Sequence, residues 1–223
     1  AVDGHAVRKQ AGNDLQYLWL PLSHSFGKVL LAVQLQVGFP TYIDGRIDQI
    51  VANIGTVRPT FMAGAPRVFE KIYGRVNTMQ HEEGGAKLAI YTWAIGVGER
   101  VAEARANGTS PSTADSVAHK LADKLVFSKV RARMGGRIRY FVSGSAALSR
   151  DVARWFDAVG MPILEGYGLT ETSAASCMIR PDAIGYGTVG EPFPGTEVRI
   201  AEDGEILIKG PGVMRGYRNL AEQ

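Results

Sequence analysis

The spacing of apolar positions changes several times along the chain, and each change marks an element. Residues 15–22 (LQYLWLPL) are a short apolar run ended by Pro21 and a polar turn, the pattern of a buried strand. Residues 23–27 read as a loop. Residues 28–38, dense in Leu and Val, read as a helix stopped by Gly38. Residues 46–55 place Ile47, Ile50, Val51 and Ile54 on one helical face. Arg58-Pro59 interrupts, and residues 60–63 form a short strand. Ala65-Pro66 then opens a helix with Pro66 in its first turn and Val68, Phe69, Ile72 and Val76 on a shared face. Residues 87–106 and 116–134 are two longer helical stretches around a Gly/Ser/Pro linker at 107–112.

From residue 137 the pattern alternates strand and helix. Residues 137–143 (RIRYFVS) read as a strand, Ser149 as the N-cap of a helix running through Val159, and residues 162–165 as the next strand. Strand, helix and strand within about 30 residues make a βαβ unit with parallel strands and a right-handed crossover. Ligands of such sheets bind beyond the carboxyl ends of the strands. Here those ends carry Gly144-Ser145-Ala146 and Gly166-Tyr167-Gly168. Residues 197–201 and 205–209 then read as a hairpin turning at Asp203-Gly204. The fold class is therefore α/β, a parallel sheet flanked by helices, passing into a small β unit near the C-terminus. The expected division is 1–185 and 186–223. Residues 1–14 look like the polar end of a helix, and residues 218–223 stop just after the strand-rich stretch, so the chain reads as a piece of a larger protein.

Composition narrows the function classes. Hydrophobic residues make up 45% and charged residues 21%, which excludes a disordered chain. Glycine is in excess at 27 of 223 residues, about 12% against a usual value of about 7%. The two glycine-bearing strand ends account for part of that excess. The net charge is +3. The densest basic run, 129–139, holds five cations, read as a solvated helix face and its exit loop rather than a nucleic-acid surface, because few aromatics interleave with it. Cys177 is the single cysteine, so no internal disulfide framework exists, and a reducing cytoplasm is expected. No run approaches the roughly 18 apolar residues that span a bilayer.

Several familiar motifs are absent or false. Residues 185–190 (GYGTVG) fit G-x-G-x-x-G, and Glu205 lies at a suitable distance. A dinucleotide site needs a helix after the last glycine, and Pro192 and Pro194 forbid one here. Neither G-x-x-x-x-G-K-[ST] nor G-x-S-x-G occurs, and His5, His24, His81 and His119 lack a zinc spacing. The informative segment is 165–172 (EGYGLTET). Tyr167 offers a flat face for a purine, and Gly166 and Gly168 admit close backbone approach. Thr170 can donate to a phosphate oxygen, and Glu171 suits Mg²⁺, a hard ion that prefers carboxylate and water oxygens. The same residues also fit an ordinary strand-to-loop exit with a polar surface.

The motif YGLTET at 167–172 resembles the adenine- and phosphate-binding motif of the AMP-forming acyl-CoA synthetases, the adenylate-forming superfamily. Other stretches agree in the family's order: Pro21-Leu22-Ser23-His24-Ser25-Phe26, residues 59–72, residues 142–148 (VSGSAAL), 187–192 (GTVGEP) and the segment from Gly204 to Asn219. The long helical pair between 80 and 135 resembles the long-chain branch. The resemblance implies a two-step reaction: a long-chain fatty acid and ATP give acyl-AMP and pyrophosphate, and coenzyme A then displaces AMP. It implies that Thr170 and Glu171 are catalytic, Glu171 serving Mg²⁺. Gly144, Ser145, Ala146, Gly166, Tyr167, Gly168 and Thr170 would hold the nucleotide. His24 would lie beside the acyl carboxylate. Val189 and Gly190 would wall the acyl channel, where a side chain at Gly190 would obstruct the chain. Residues 28–38 and 60–69 could line that channel or be plain core.

Three family features are not found: the Ser/Thr/Gly-rich phosphate loop expected upstream, the T-G-D stretch expected soon after 220, and the small C-terminal lid domain with its lysine. The 223 residues are expected to make no acyl-CoA alone. Alternatives are a fatty-acyl-AMP ligase, an aryl or medium-chain ligase, and a non-catalytic nucleotide- or acyl-AMP-binding relative. A substrate that partitions into bilayers favours peripheral membrane contact, although no basic amphipathic helix is evident. Nucleic acid is not an expected partner, and the sequence fixes no oligomeric state.

Overall fold

A computed structural model describes residues 13–219. The expectations for residues 1–12 and 220–223 lie outside the described residues. A seven-stranded sheet runs in the order β2-β1-β3-β4-β5-β6-β7. Its strands are β1 Gln16–Leu18, β2 Thr41–Ile43, β3 Phe61–Gly64, β4 Tyr140–Ser143, β5 Ile163–Tyr167, β6 Cys177–Met178 and β7 Glu191–Pro192. The first five pair in parallel, with Phe141 opposite Met62 on one side and Ile163 on the other. β6 and β7 close the edge antiparallel. β8 Glu197–Ile200 and β9 Ile206–Lys209 form the separate hairpin, Ile200 opposite Ile206. The α/β class, the mostly parallel sheet and the terminal β unit are as the sequence predicts.

The helices are α1 Ser25–Val37, α2 Ile50–Val57, α3 Pro66–Glu83, α4 Gly85–Ala106, α5 Thr113–Ala122, α6 Ser128–Arg133 and α7 Arg150–Ala158. A π-helical segment, Asp123–Phe127, joins α5 to α6. α1 ends at Gly38, whose φ of 88° closes the last turn through a bond from its amide to the Gln34 carbonyl. It begins three residues earlier than its apolar pattern suggests, because the His24 side chain caps it. Pro66 opens α3 from the first turn as expected. Ser149 occupies the N-cap position of α7 as expected, but makes no side-chain capping bond. β5 is longer than predicted: Gly166 and Tyr167 belong to the strand, paired with Met178 and Cys177.

Strand side chains alternate between two unlike faces. One face carries Tyr17, Trp19, Met62, Phe141 and Ile163 into the core built with α2 to α7. Phe141, Phe69 and Phe156 form its centre, with ring centroids 5.2 to 5.8 Å apart. Trp155 donates to the Tyr91 hydroxyl at 2.7 Å, and Tyr91 donates to Asn77 at 2.9 Å, so these buried polar atoms are paired. The opposite face carries Phe61, Tyr140 and Val142 and is met by α1 across a cavity. The segment 185–190 is a turn that enters β7, not a helix, so the dinucleotide fingerprint is excluded; Tyr186 instead donates to the buried Asp157 of α7.

Candidate functional site

The cavity, about 620 Å³, lies past the carboxyl ends of β4 and β5 and against α1. This is where an open parallel sheet places its ligands. Its polar end is built from three chain segments. The first is His24-Ser25-Phe26 at the start of α1, the second Ser143-Gly144-Ser145 after β4, and the third the stretch from Gly166 to Glu171. The apolar end is lined by Val29, Leu30, Val33 and Val37 of α1 with Phe39 and Phe61. Residues 28–38 thus do line the cavity, whereas of 60–69 only Phe61 reaches it.

The third segment is held by a dense local network. The turn Thr170–Thr172 is a single 3₁₀ turn, followed by Ser173 at φ 59° and Ala174 at φ 83°. Two successive left-handed residues outside glycine are strained and need support from around them. They receive it: the Ala174 amide donates to the Leu169 carbonyl at 2.9 Å, the Leu169 amide to the Thr172 hydroxyl at 2.9 Å, and the Ser176 hydroxyl to Thr172 at 2.9 Å. The loop folds back so tightly that a Cβ at Gly168 would stand 1.8 Å from the Ala174 carbonyl oxygen. Only glycine fits there, and the exposed Thr170 and half-buried Glu171 are presented by a fixed frame.

The Thr170 hydroxyl lies 3.4 Å from that of Ser25, so the first and third segments meet. One Glu171 carboxylate oxygen accepts from the Tyr217 hydroxyl, which holds its pKa below the ordinary carboxylate value, and the Glu171 carbonyl accepts from the Met214 amide at 2.8 Å. His24 Nδ1 accepts from the Phe26 amide at 3.2 Å. With Nδ1 accepting, Nε2 is the ring nitrogen left to donate. The Ser143 hydroxyl is buried at the cavity wall and has no hydrogen-bond partner among the described residues. Glu165, 6% exposed, accepts the Leu148 amide at 3.2 Å with one oxygen, while its other oxygen has no partner among the described residues. Burial pushes its carboxyl up. Among the described residues no group of three or more His, Cys, Asp or Glu is placed to hold a metal by itself.

Of the sequence candidates, His24, Gly144, Ser145, Gly166, Tyr167, Gly168, Thr170 and Glu171 line this one cavity, and Ala146, Val189 and Gly190 are not in its lining. Gly190 is needed for a different reason from the one expected. Its φ is 74°, and a Cβ would meet the Met178 carbonyl oxygen at 2.2 Å, so the residue lets the chain pass β6 closely. Sequence reasoning passed over Ser25, Ser143, Glu165 and Tyr217. Ser25, Ser143 and Tyr217 sit inside the stretches that carry the resemblance, whereas Glu165 shows only as a carboxylate at the end of an apolar strand.

The open α/β sheet thus carries, at its strand ends, a cavity that is polar at one end and apolar at the other. The chain belongs to the AMP-binding enzyme family, which matches residues 2–218. Similar proteins include the long-chain-fatty-acid–CoA ligase FadD15 of Mycobacterium bovis, 32% identical over 200 residues, which cover 90% of this chain and 33% of that protein. The long-chain-fatty-acid–CoA ligase ACSBG2 of Xenopus laevis is 30% identical over 236 residues, covering all of this chain and 32% of that protein. Among solved structures, a benzoate CoA ligase from Burkholderia xenovorans LB400 superposes with a TM-score of 0.61 and 25% identity over 95% of this chain and 36% of that one. The chain thus spans about a third of the length of these relatives. No helix among the described residues is long and apolar enough to cross a membrane.

Proposed function

We propose that the chain is the central part of a long-chain fatty-acid–CoA ligase, residues 1–185 belonging to its α/β adenylation subdomain and 186–223 opening the next. It acts in the cytoplasm with peripheral membrane contact. The observation that carries this reading is the meeting of three distant polar segments at one end of a cavity whose other end is apolar. In the first step a fatty carboxylate oxygen attacks the α-phosphorus of ATP, and the bond to pyrophosphate breaks. In the second the thiol sulfur of coenzyme A attacks the acyl carbon, and AMP leaves.

The first step brings two anions together, so donors must be fixed before they arrive. The Thr170 hydroxyl and Nε2 of His24 supply the donors, for a phosphate oxygen and for the acyl carboxylate respectively. The tight loop behind Thr170 sets its position without reorganisation. Tyr167 offers its ring to adenine, with Gly144, Ser145, Gly166 and Gly168 lining the nucleoside, and the Ser143 hydroxyl, without a partner among the described residues, gains one there. The acyl tail lies along Val29, Leu30, Val33, Val37, Phe39 and Phe61, each buried CH₂ contributing about 0.8 kcal/mol. Glu171, a lone carboxylate with Tyr217 on one oxygen, fits Mg²⁺, which takes one or two carboxylates and completes its shell with phosphate and water oxygens. When bound, that ion neutralises phosphate charge. Of the expected pair Val189 and Gly190, Gly190 lets the chain pass closely by β6, whose Cys177 and Met178 line the cavity, and neither residue is in the cavity wall.

The test is fatty-acid-dependent ATP–pyrophosphate exchange by the full-length protein. Exchange is expected with a long-chain acid, and Glu171→Gln should lower it by about 100-fold or more. Nucleotide binding with no exchange for any acid would instead establish a binding module and overturn the ligase reading.

A further inference from the structure

The helical face of the sheet holds a second cavity, about 350 Å³, that the reaction above does not use. Its walls come from α3, α4, the π segment with α6, and α7. Ile72, Val76, Val126, Met134, Trp155 and Met161 make its apolar floor. The polar atoms at that floor are already paired, because Trp155, Tyr91 and Asn77 satisfy one another. Ile90 and Leu125 of the same lining are 43% and 38% exposed, so apolar surface stands open to water. The π segment supplies Leu125 and Val126. Such segments recur at functional sites because the wider turn re-aims side chains.

The rim identifies the charge of the occupant. The basic run 129–139 holds five cations, and the fold uses three. Arg131 pairs with Asp123 at 2.7 Å and donates to the Val159 carbonyl at 2.9 Å, Arg137 donates to the Asn13 carbonyl at 3.1 Å, and Arg139 pairs with Asp14. Lys129 and Arg133, the two with no ion pair among the described residues, are the two that border this cavity. They are four residues apart on one helix, a like-charge spacing that is unfavourable until an anion bridges it. Of the other charged lining groups, Lys87 is matched by Glu83 at 3.3 Å.

We propose that this cavity is a second ligand site, taking a small amphipathic anion whose alkyl tail enters between α3, α4 and α6 and whose carboxylate rests between Lys129 and Arg133. The site is independent of the ligase reading and of the cavity beside α1. Methionine methyl NMR separates the two, since Met134 and Met161 line this cavity and Met178 lines the other. Titrating the full chain with decanoate should move the Met134 and Met161 signals saturably, and decanol should bind there more weakly. Lys129→Ala with Arg133→Ala should raise the decanoate Kd read at Met134 and Met161 by about 5-fold and leave the Met178 response unchanged. Static Met134 and Met161 signals, or equal binding of decanol and decanoate at them, would overturn the proposal. Movement of Met178 alone would do the same while leaving the ligase reading intact.

Discussion

Glu165 shows how one side chain can hold a loop in place and carry an electrostatic cost. It sits on β5 opposite Ser143 of β4, and its carboxylate fixes the amide of Leu148, so the glycine-bearing loop after β4 is tethered to the neighbouring strand. The tether is buried, and burial raises the carboxyl above its ordinary value more than the Leu148 amide lowers it. A carboxyl whose pKa is higher folded than unfolded binds its proton more tightly in the folded state. Its contribution is therefore complete below the unfolded value and is lost as pH rises through the folded one. Glu165→Gln keeps an oxygen for Leu148 and has no proton to lose. The variant should gain stability relative to the parent as pH rises through and past the carboxylate range. Thermal melts of both proteins across that range check the sign, and a difference that stays flat with pH would remove Glu165 as the cause.

At the scale of elements, helix ends offer a matched comparison. Ser112 caps α5 with its hydroxyl, accepting the Asp115 amide at 3.0 Å and donating to the Asp115 carboxylate at 2.7 Å. Ser149 stands at the same position of α7 without that bond. Ser112→Ala should cost about 1 kcal/mol, and Ser149→Ala no more than about 0.5 kcal/mol, as for an ordinary surface change. Urea midpoints of the two variants measure the gap. The pair also shows what the sequence can carry. Residue type marks where a helix can begin, and Pro66 and Gly38 state their roles outright because their backbone limits are intrinsic. Whether a serine turns inward onto its own helix is decided by local geometry that its identity does not encode. His24 is the reverse case, a cap from outside the usual set. The extension of β5 through Gly166 and Tyr167 was hidden because its partner, β6, lies ten residues on and is only two residues long. The π segment leaves no mark on a 3.6-residue pattern. The candidate residues of the third segment were legible for another reason: Gly168, Thr170 and Glu171 lie within four positions, so one tight turn presents them together. Tyr217, 46 positions from Glu171, meets it only through the fold.

Taken whole, the two faces of the one sheet are packed unequally. Phe141 is fully buried at the centre of the helical face, between Phe69 and Phe156. Val33 on the opposite face is 43% exposed and borders the cavity beside α1. Phe141→Ala removes a ring from a site whose two aromatic neighbours are held by separate helices and cannot close the gap together. Its cost should be about 3–5 kcal/mol, a large share of the roughly 5–15 kcal/mol that holds a domain folded. Val33→Ala removes methyl groups from a half-open wall, and Ala suits a helix better than Val, so the stability read from the urea midpoint should stay within about 0.5 kcal/mol of the parent. Alkyl carboxylate binding reported by Met178 should nonetheless weaken, by up to about 4-fold for each methylene-sized group taken out of the wall. Stability and affinity would then separate across the sheet. Should Val33→Ala destabilise the chain as Phe141→Ala does, the α1 face would be core, and the apolar end of that cavity would not be open to a ligand.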